Sequence, residues 1–309
     1  TAPSPLLASA RFPHGCAERT PSRAMPLLYV NEMASSIGMS SDSDLHGRIQ
    51  DASYKVLSYQ ASAGSFGLWG PGSGDLWLDA YVSEFLTRAR EQKYDVPAQA
   101  MNQALSNLQN SLGYDQSVQD RGSEIAYALY VLARNKKASI GDLRYYADTQ
   151  LEAFSSPMAV AQLAASLALY GDTQRSEATF KTALQLAKSS TDYDWYRSDY
   201  GSALRDGAAM LSLAAESKPV SSVVPELIKL VTRQRAEARW TSTQDDSWML
   251  LAARALKEGN DSIALSVNGA PHSGGYSNQV NGSELVDSPL EIANTGKTPL
   301  QAVVTTVAS

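Results

Sequence analysis

Between residues 22 and 257 two hydrophobic patterns take turns along the chain. Six segments, at 22–36, 76–89, 123–134, 157–170, 204–215 and 247–257, are apolar on nearly all sides. A helix that is apolar all round belongs in an interior. The fourth of them, from Met158 to Tyr170, carries a single polar side chain larger than serine, and its many alanines let neighbouring helix axes approach closely. Between these segments lie stretches with one apolar stripe at helical spacing. They are Ile49, Ala52, Val56; Met101, Leu105, Leu108, Leu112; Leu143, Tyr146, Ala147, Phe154; Phe180, Leu184, Ala187; and Val224, Leu227, Ile228, Val231. Such helices cover a core on one face and meet water on the other, so inner and outer helices alternate.

With Leu28, Ala80, Tyr127, Leu163, Ala209 and Leu251 as the inner centres, the intervals are 52, 47, 36, 46 and 42 residues. Recurrence on this scale marks a repeat architecture. Six almost wholly apolar helices need cover on every side, which a closed ring supplies and an open stack does not. The pattern therefore predicts an all-α chain, an α/α toroid of about six helical hairpins over residues 1–258.

After Gly259 the pattern changes to alternation, β-branched residues and Asn-Gly or Thr-Gly turns, in Ser262–Val267 and Leu290–Val307. About 50 residues of strand are too few for a self-sufficient sandwich. Residues 259–309 are expected to be a short β-rich segment, the start of a following β-domain whose other strands come from elsewhere.

Composition narrows the classes. Hydrophobic residues make up 43% of the 309 and charged residues 19%, which excludes a disordered chain. A formal charge of -6 offers phosphate backbones no favourable field, so nucleic acid is not an expected partner. No uncharged apolar run has the length of a membrane span. Residue 1 is Thr, and the chain is expected to be a fragment or a processed form. A lone cysteine rules out an internal disulfide.

That cysteine, Cys16, carries the candidate chemistry. It follows Pro13 and Gly15 and precedes a helix whose first amides would favour a negative sulfur. A cysteine followed three residues later by glutamine can close an internal thioester, because sulfur adds to the carboxamide carbon and ammonia leaves. Here the third residue on is Arg19, and a guanidinium has no acyl carbon to offer. A guanidinium at this place is expected to seek a carboxylate such as Glu18. The histidines are His14, His46 and His272, and none is placed by the sequence as a partner for a cysteine nucleophile.

Asp245-Asp246 could be a carboxylate pair of the glycosidase kind, but reads better as the acidic first turn of a helix. The Gly-rich aromatic stretch from Gln60 to Trp77 lacks the lysine and spacing of a phosphate loop and is expected to pack at the toroid rim. Other acids, among them Asp42, Asp44, Asp115, Asp192 and Asp194, are scattered, and no metal-ligand spacing is present. No cofactor is expected.

Three motifs together resemble the thioester domain of bacterial α2-macroglobulins over about residues 8–258: Gly15-Cys-Ala-Glu-Arg-Thr20, then Gly64-Ser-Phe-Gly-Leu-Trp69 with Asp75–Tyr81, and Trp240–Trp248. The resemblance implies a non-enzymatic domain of a large periplasmic protein that traps or blocks proteases. In such proteins a protease cuts a bait region elsewhere, and the exposed thioester couples to the attacker. The family pattern is Cys-x-Glu-Gln. Cys16 and Glu18 match it, Arg19 replaces the glutamine, and Phe12 stands where the family sets an aromatic shield. The departure resembles a second bacterial class that lacks a working thioester and is associated with accessory periplasmic proteins. Proteases as targets, adjoining β-domains of the same protein and accessory proteins are the implied partners. The competing readings are a toroid enzyme related to terpene cyclases, prenyltransferases or glycosidases, and a docking domain for periplasmic partners.

Overall fold

The computed structural model describes residues 15–31, 44–113, 117–189, 199, 201–260, 264–274, 276, 278 and 289–296. Phe12, His14, Asp42, Asp115, Asp192 and Asp194 lie outside them. The chain divides into two compact units, Thr1–Arg254 and Ala255–Ser309.

The first unit is helical. In chain order its helices are α1 (Arg19–Leu27), α2 (Leu45–Leu57), α3 (Leu76–Glu91), α4 (Ala98–Leu112), α5 (Val118–Arg134), α6 (Ile140–Thr149), α7 (Pro157–Leu169), α8 (Thr173–Ser189), α9 (Ala203–Glu216), α10 (Val224–Glu237) and α11 (Thr243–Asn260). The last continues past the boundary between the units. Local chemistry sets several starts. Asp75, Ser156 and Ser202 each accept the backbone N–H three residues on, the Asp75 bond to Leu78 being 2.7 Å. Such caps satisfy amides that the first turn cannot pair internally.

The odd-numbered helices form the inner layer. Fourteen of the sixteen residues of α3 are buried, as are eleven of the thirteen in α7. The even-numbered helices bury one stripe: Ile49, Ala52 and Val56 on α2, and Met101, Leu105 and Leu108 on α4. An all-α toroid is therefore the fold of this unit.

Two expected stripes differ in detail. Helix α6 ends at Thr149, and a 3-10 turn over Leu151–Ala153 delivers Phe154 to the core from outside the helix, because Phe154 fills the space that Gly122 leaves open. On α10 the buried face is Val224, Leu227 and Leu230, with Ile228 and Val231 only half-buried, so the helix is rotated from the predicted setting. The first inner helix begins three residues before the predicted start at 22 and carries Pro26, after which Leu28 and Tyr29 remain buried in a turn.

Side-chain links show that α1, α3, α5 and α11 run parallel and that the layer closes on itself. Ser22 meets Tyr81 and, farther along the same two helices' course, Tyr29 meets Arg88. Between α3 and α5, Glu84 pairs with Tyr127, Arg88 with Tyr130 and Glu91 with Arg134, offsets of 42 or 43 residues that only parallel helices give. The first and last inner helices meet at both ends, through Glu18 and Gln244 (3.1 Å) and through Arg254 stacked 3.9 Å from the centre of the Tyr29 ring.

Parallel inner helices gather their C-terminal ends, which carry partial negative charge. Arg88, Arg134 and Arg254 collect there, and Glu216 binds all three at 3.0 to 3.1 Å. Burial alone would push the Glu216 carboxyl up, but Arg88 and Arg134 outweigh it and hold it at about 2.

The second unit contains a sheet in the order β2-β1-β3, all antiparallel, with β1 at Ala264–Val267, β2 at Ala270–Ser273 and β3 at Ile292–Asn294. Its hairpin turns on Asn268 and Gly269 at φ 48° and 82°, the left-handed pair that a two-residue hairpin demands.

Glu216→Gln should lower the unfolding free energy at neutral pH by about 3 kcal/mol, since it strands buried guanidinium groups. An acid whose folded value is depressed stabilises fully above its ordinary value of 4.5 and loses that contribution as pH falls towards about 2. Urea titrations should therefore show the native chain losing the advantage over the variant across that acid window.

Candidate functional site

Cys16 sits in a turn that leads into α1. Its carbonyl accepts the Thr20 N–H at 3.1 Å, and its half-buried sulfur accepts the backbone N–H of Arg19 at 3.4 Å. The sulfur thus lies over the first amide of the helix, two residues ahead of its N-cap, Glu18. Gly15 is required by a close approach: a Cβ there would fall 2.6 Å from Thr20 Oγ1.

The wall of this turn is the Gly-rich aromatic stretch. Leu68 O accepts the Ala17 N–H at 2.8 Å, and the Tyr59 hydroxyl donates to Gly15 O at 2.9 Å. The stretch is itself folded by backbone contacts that exclude side chains. Gly74 packs so tightly that a Cβ would lie 2.1 Å from Phe66 O, and Gly64 takes φ 97°. Asp79, in the first turn of α3, ties it down: Oδ1 accepts the Phe66 N–H at 2.6 Å and Oδ2 accepts from Asn107 Nδ2 at 2.7 Å. Burial pushes this carboxyl up to about 6, against the opposing pull of those two donors. The stretch, read from sequence as packing alone, thus also holds the cysteine turn.

Glu18 faces inward. Its Oε1 accepts from Ser22 Oγ at 2.8 Å and from Gln244 Nε2 at 3.1 Å. Ser22 Oγ lies 2.8 Å from the Tyr81 hydroxyl, whose acidity is suppressed by burial and by the nearby Glu18 charge. Gln244 is oriented in turn by Arg205, whose Nη1 donates to its Oε1 at 3.3 Å. Arg205 is fully buried and is held by Asp199 (2.7 Å) and Asp206 (2.8 Å).

Arg19 differs from its expected setting. Its side chain is exposed and, among the described residues, makes no ion pair; the carboxylate expected to attract it is already engaged by Ser22 and Gln244. Its neighbour one turn on is Arg23, whose basicity is lowered by partial burial and by the Arg19 charge. Position 19 thus presents a cation to solvent.

The remaining candidates are dispersed. Asp245 is buried and accepts from Ser202 Oγ (2.5 Å) and from Ser242 N (2.7 Å), so it closes the entry to α11, and Asp246 lies in the same first turn. His46 stacks on Tyr94 at 4.6 Å. No group of three or more potential metal ligands occurs among the described residues. Tyr59 and Arg205 shape the site without having been singled out from sequence, and Tyr81 and Gln244 lie in motifs that carried the family resemblance without a role of their own. The role of Gln244 was hidden because a glutamine next to two aspartates, ahead of an apolar run, looks like any helix entry.

This fold and this turn define the class. The family model of the A-macroglobulin TED domain matches residues 5–247, and the chain belongs to that family. The relatives it resembles are bacterial. Alpha-2-macroglobulin of Escherichia coli K12 is 34% identical over 308 residues, covering 94% of this chain and 18% of the relative. That of Xylella fastidiosa Temecula1 is 30% identical, covering 79% of this chain and 16% of the relative.

Among solved structures, native Escherichia coli alpha-2-macroglobulin from domain MG7 to the C-terminus superposes with a TM-score of 0.72 at 30% identity, covering 94% of this chain and 48% of that one. Salmonella alpha-2-macroglobulin reacted with methylamine gives 0.72 at 31%, covering 95% and 20%. The chain spans less than a fifth of the length of the Escherichia coli relative.

An acid whose folded value is raised stabilises most below its ordinary value and loses that contribution as pH rises through the folded one. For Asp79 the window runs from 3.8 to about 6. The unfolding free energy of the native chain, measured against Asp79→Asn, should fall by about 3 kcal/mol as pH rises from about 4 to 7. A pH-independent difference would show that burial of Asp79 is without effect.

Proposed function

We propose that this chain is a non-enzymatic domain of a periplasmic α2-macroglobulin-like protein that binds or blocks proteases without a covalent bond from this site. In that reading residues 1–258 are the toroid and residues 259–309 begin the next β-domain. The observation that carries it is position 19. A guanidinium stands three residues after Cys16, it points to solvent, and the backbone amide beside it satisfies the sulfur, so the thiol stays free. The Salmonella relative has been solved after reaction with methylamine, and Escherichia coli relatives after activation by trypsin and by elastase. Proteases as targets, and neighbouring β-domains as the surfaces against which the toroid rests, are inferred from that kinship. Cys16, Glu18 and Arg19 are the degenerate remains of the acylating motif, with Phe12 as its aromatic shield.

A second reading, docking to accessory periplasmic proteins, is favoured by Trp69 and Trp240, which are 73% and 78% exposed. Trp69 adjoins the residue bonded to Ala17, and Trp240 opens the segment that delivers Gln244 to Glu18. Exposed tryptophans are disproportionately the anchors of protein interfaces.

Intact-mass measurement separates a free thiol from a thioester. The chain is expected at the full mass of its sequence, to take up one thiol reagent, and to ignore methylamine. A mass ~17 Da lower, or uptake of methylamine, would mean that Cys16 is acylated and the reading is wrong.

A further inference from the structure

We propose that Glu18 is a positioning residue, the acceptor on which two hydrogen-bond chains converge to close the helical ring beside Cys16. This goes beyond the protease-binding reading and holds whether or not the chain binds a protease. The argument is one of polarity. Tyr81 and Ser22 form one chain, in which the single Ser22 hydroxyl proton is shared between Glu18 Oε1 at 2.8 Å and the Glu18 backbone carbonyl at 3.0 Å. Arg205 and Gln244 form the other: Arg205 can only donate, so it fixes the Gln244 amide with Oε1 towards itself and Nε2 towards Glu18. Both chains end on one carboxylate oxygen. A residue at position 18 must therefore accept twice, and an ionised carboxylate does so with charge-assisted strength.

The first chain comes from α1 and α3, and the second from α9 and α11, so Glu18 is the junction of the first helix of the ring with the last. The other link described between those two helices, Tyr29 with Arg254, is at their opposite ends. Glu18 is two residues from Cys16 in sequence, and Arg19, whose amide meets the sulfur, follows it directly. Loss of the junction releases the turn that presents the thiol. The acid of the Cys-Ala-Glu-Arg motif thus has a task that needs no glutamine at position 19.

The charged and titratable groups around this junction are Tyr81 from α3, Arg205 and Asp206 from α9 with Asp199 before it, Asp245 from α11, and Arg19 and Arg23 on α1 itself.

The test is the rate at which iodoacetamide alkylates Cys16 in the full chain, with each variant expressed relative to the native chain at the same pH. Glu18→Ala and Gln244→Ala should each raise the rate about tenfold, the scale set by exposing one to two buried hydrogen bonds. The double variant should gain no more than either single change. Glu18→Gln keeps an acceptor oxygen and should stay near the native rate. Gln244→Glu sets a second carboxylate against Glu18, so its relative rate should climb between about pH 5 and 8 as the pair loses its shared proton. An unchanged rate in Glu18→Ala, additive single effects, or a relative rate for Gln244→Glu that is flat with pH would each overturn the assignment. The Gln244→Glu profile decides the matter even if Glu18→Ala fails to fold.

Discussion

Inner helices pointing the same way impose one electrostatic constraint on the rest of the first unit. Their amino ends, with unpaired amides and partial positive charge, share one end of the ring, and their carboxyl ends share the other. Glu18, Asp79, Asp206 and Asp245 at the amino end and Arg88, Arg134 and Arg254 at the carboxyl end follow that polarity, whereas Arg205 at the amino end and Glu216 at the carboxyl end oppose it and are held by ion-pair partners. Charges of this kind are costly to bury one at a time and become tolerable when helix ends and opposite partners oppose them together. The same alignment explains why a cysteine turn belongs at the amino end, where free amides face the sulfur.

The inner layer was legible in the sequence because burial on all sides leaves an unambiguous mark. The segments at 157–170 and 204–215 are α7 and α9 almost to the residue. Ring closure was legible only indirectly, from the absence of a polar face on the inner helices, because the contacts that close it join residues over two hundred positions apart. Glu18 and Gln244 are such a pair, and no local pattern announces it. The stripe that shifted at Phe154 did so because packing against Gly122 overrides average helical spacing.

At the site, residue chemistry settled what Arg19 is unable to do, whereas the structure settles where it is. Expecting the guanidinium to take Glu18 treated neighbours in sequence as partners in space. Successive residues on a helix point about a hundred degrees apart, so Glu18 faces the ring and Arg19 the solvent. The aromatic stretch likewise holds the cysteine turn through the backbone carbonyl of Leu68, and Tyr59, just before it, donates its hydroxyl to Gly15 O; sequence patterns leave both contacts silent.

The clasp of three arginines on Glu216 has a mechanical corollary. It binds α3, α5, α9 and α11 at the end of the ring remote from Cys16. If the first and last helices part, that knot becomes the fulcrum. Motion is then amplified at the thiol end and damped at the other, as covers swing about a spine.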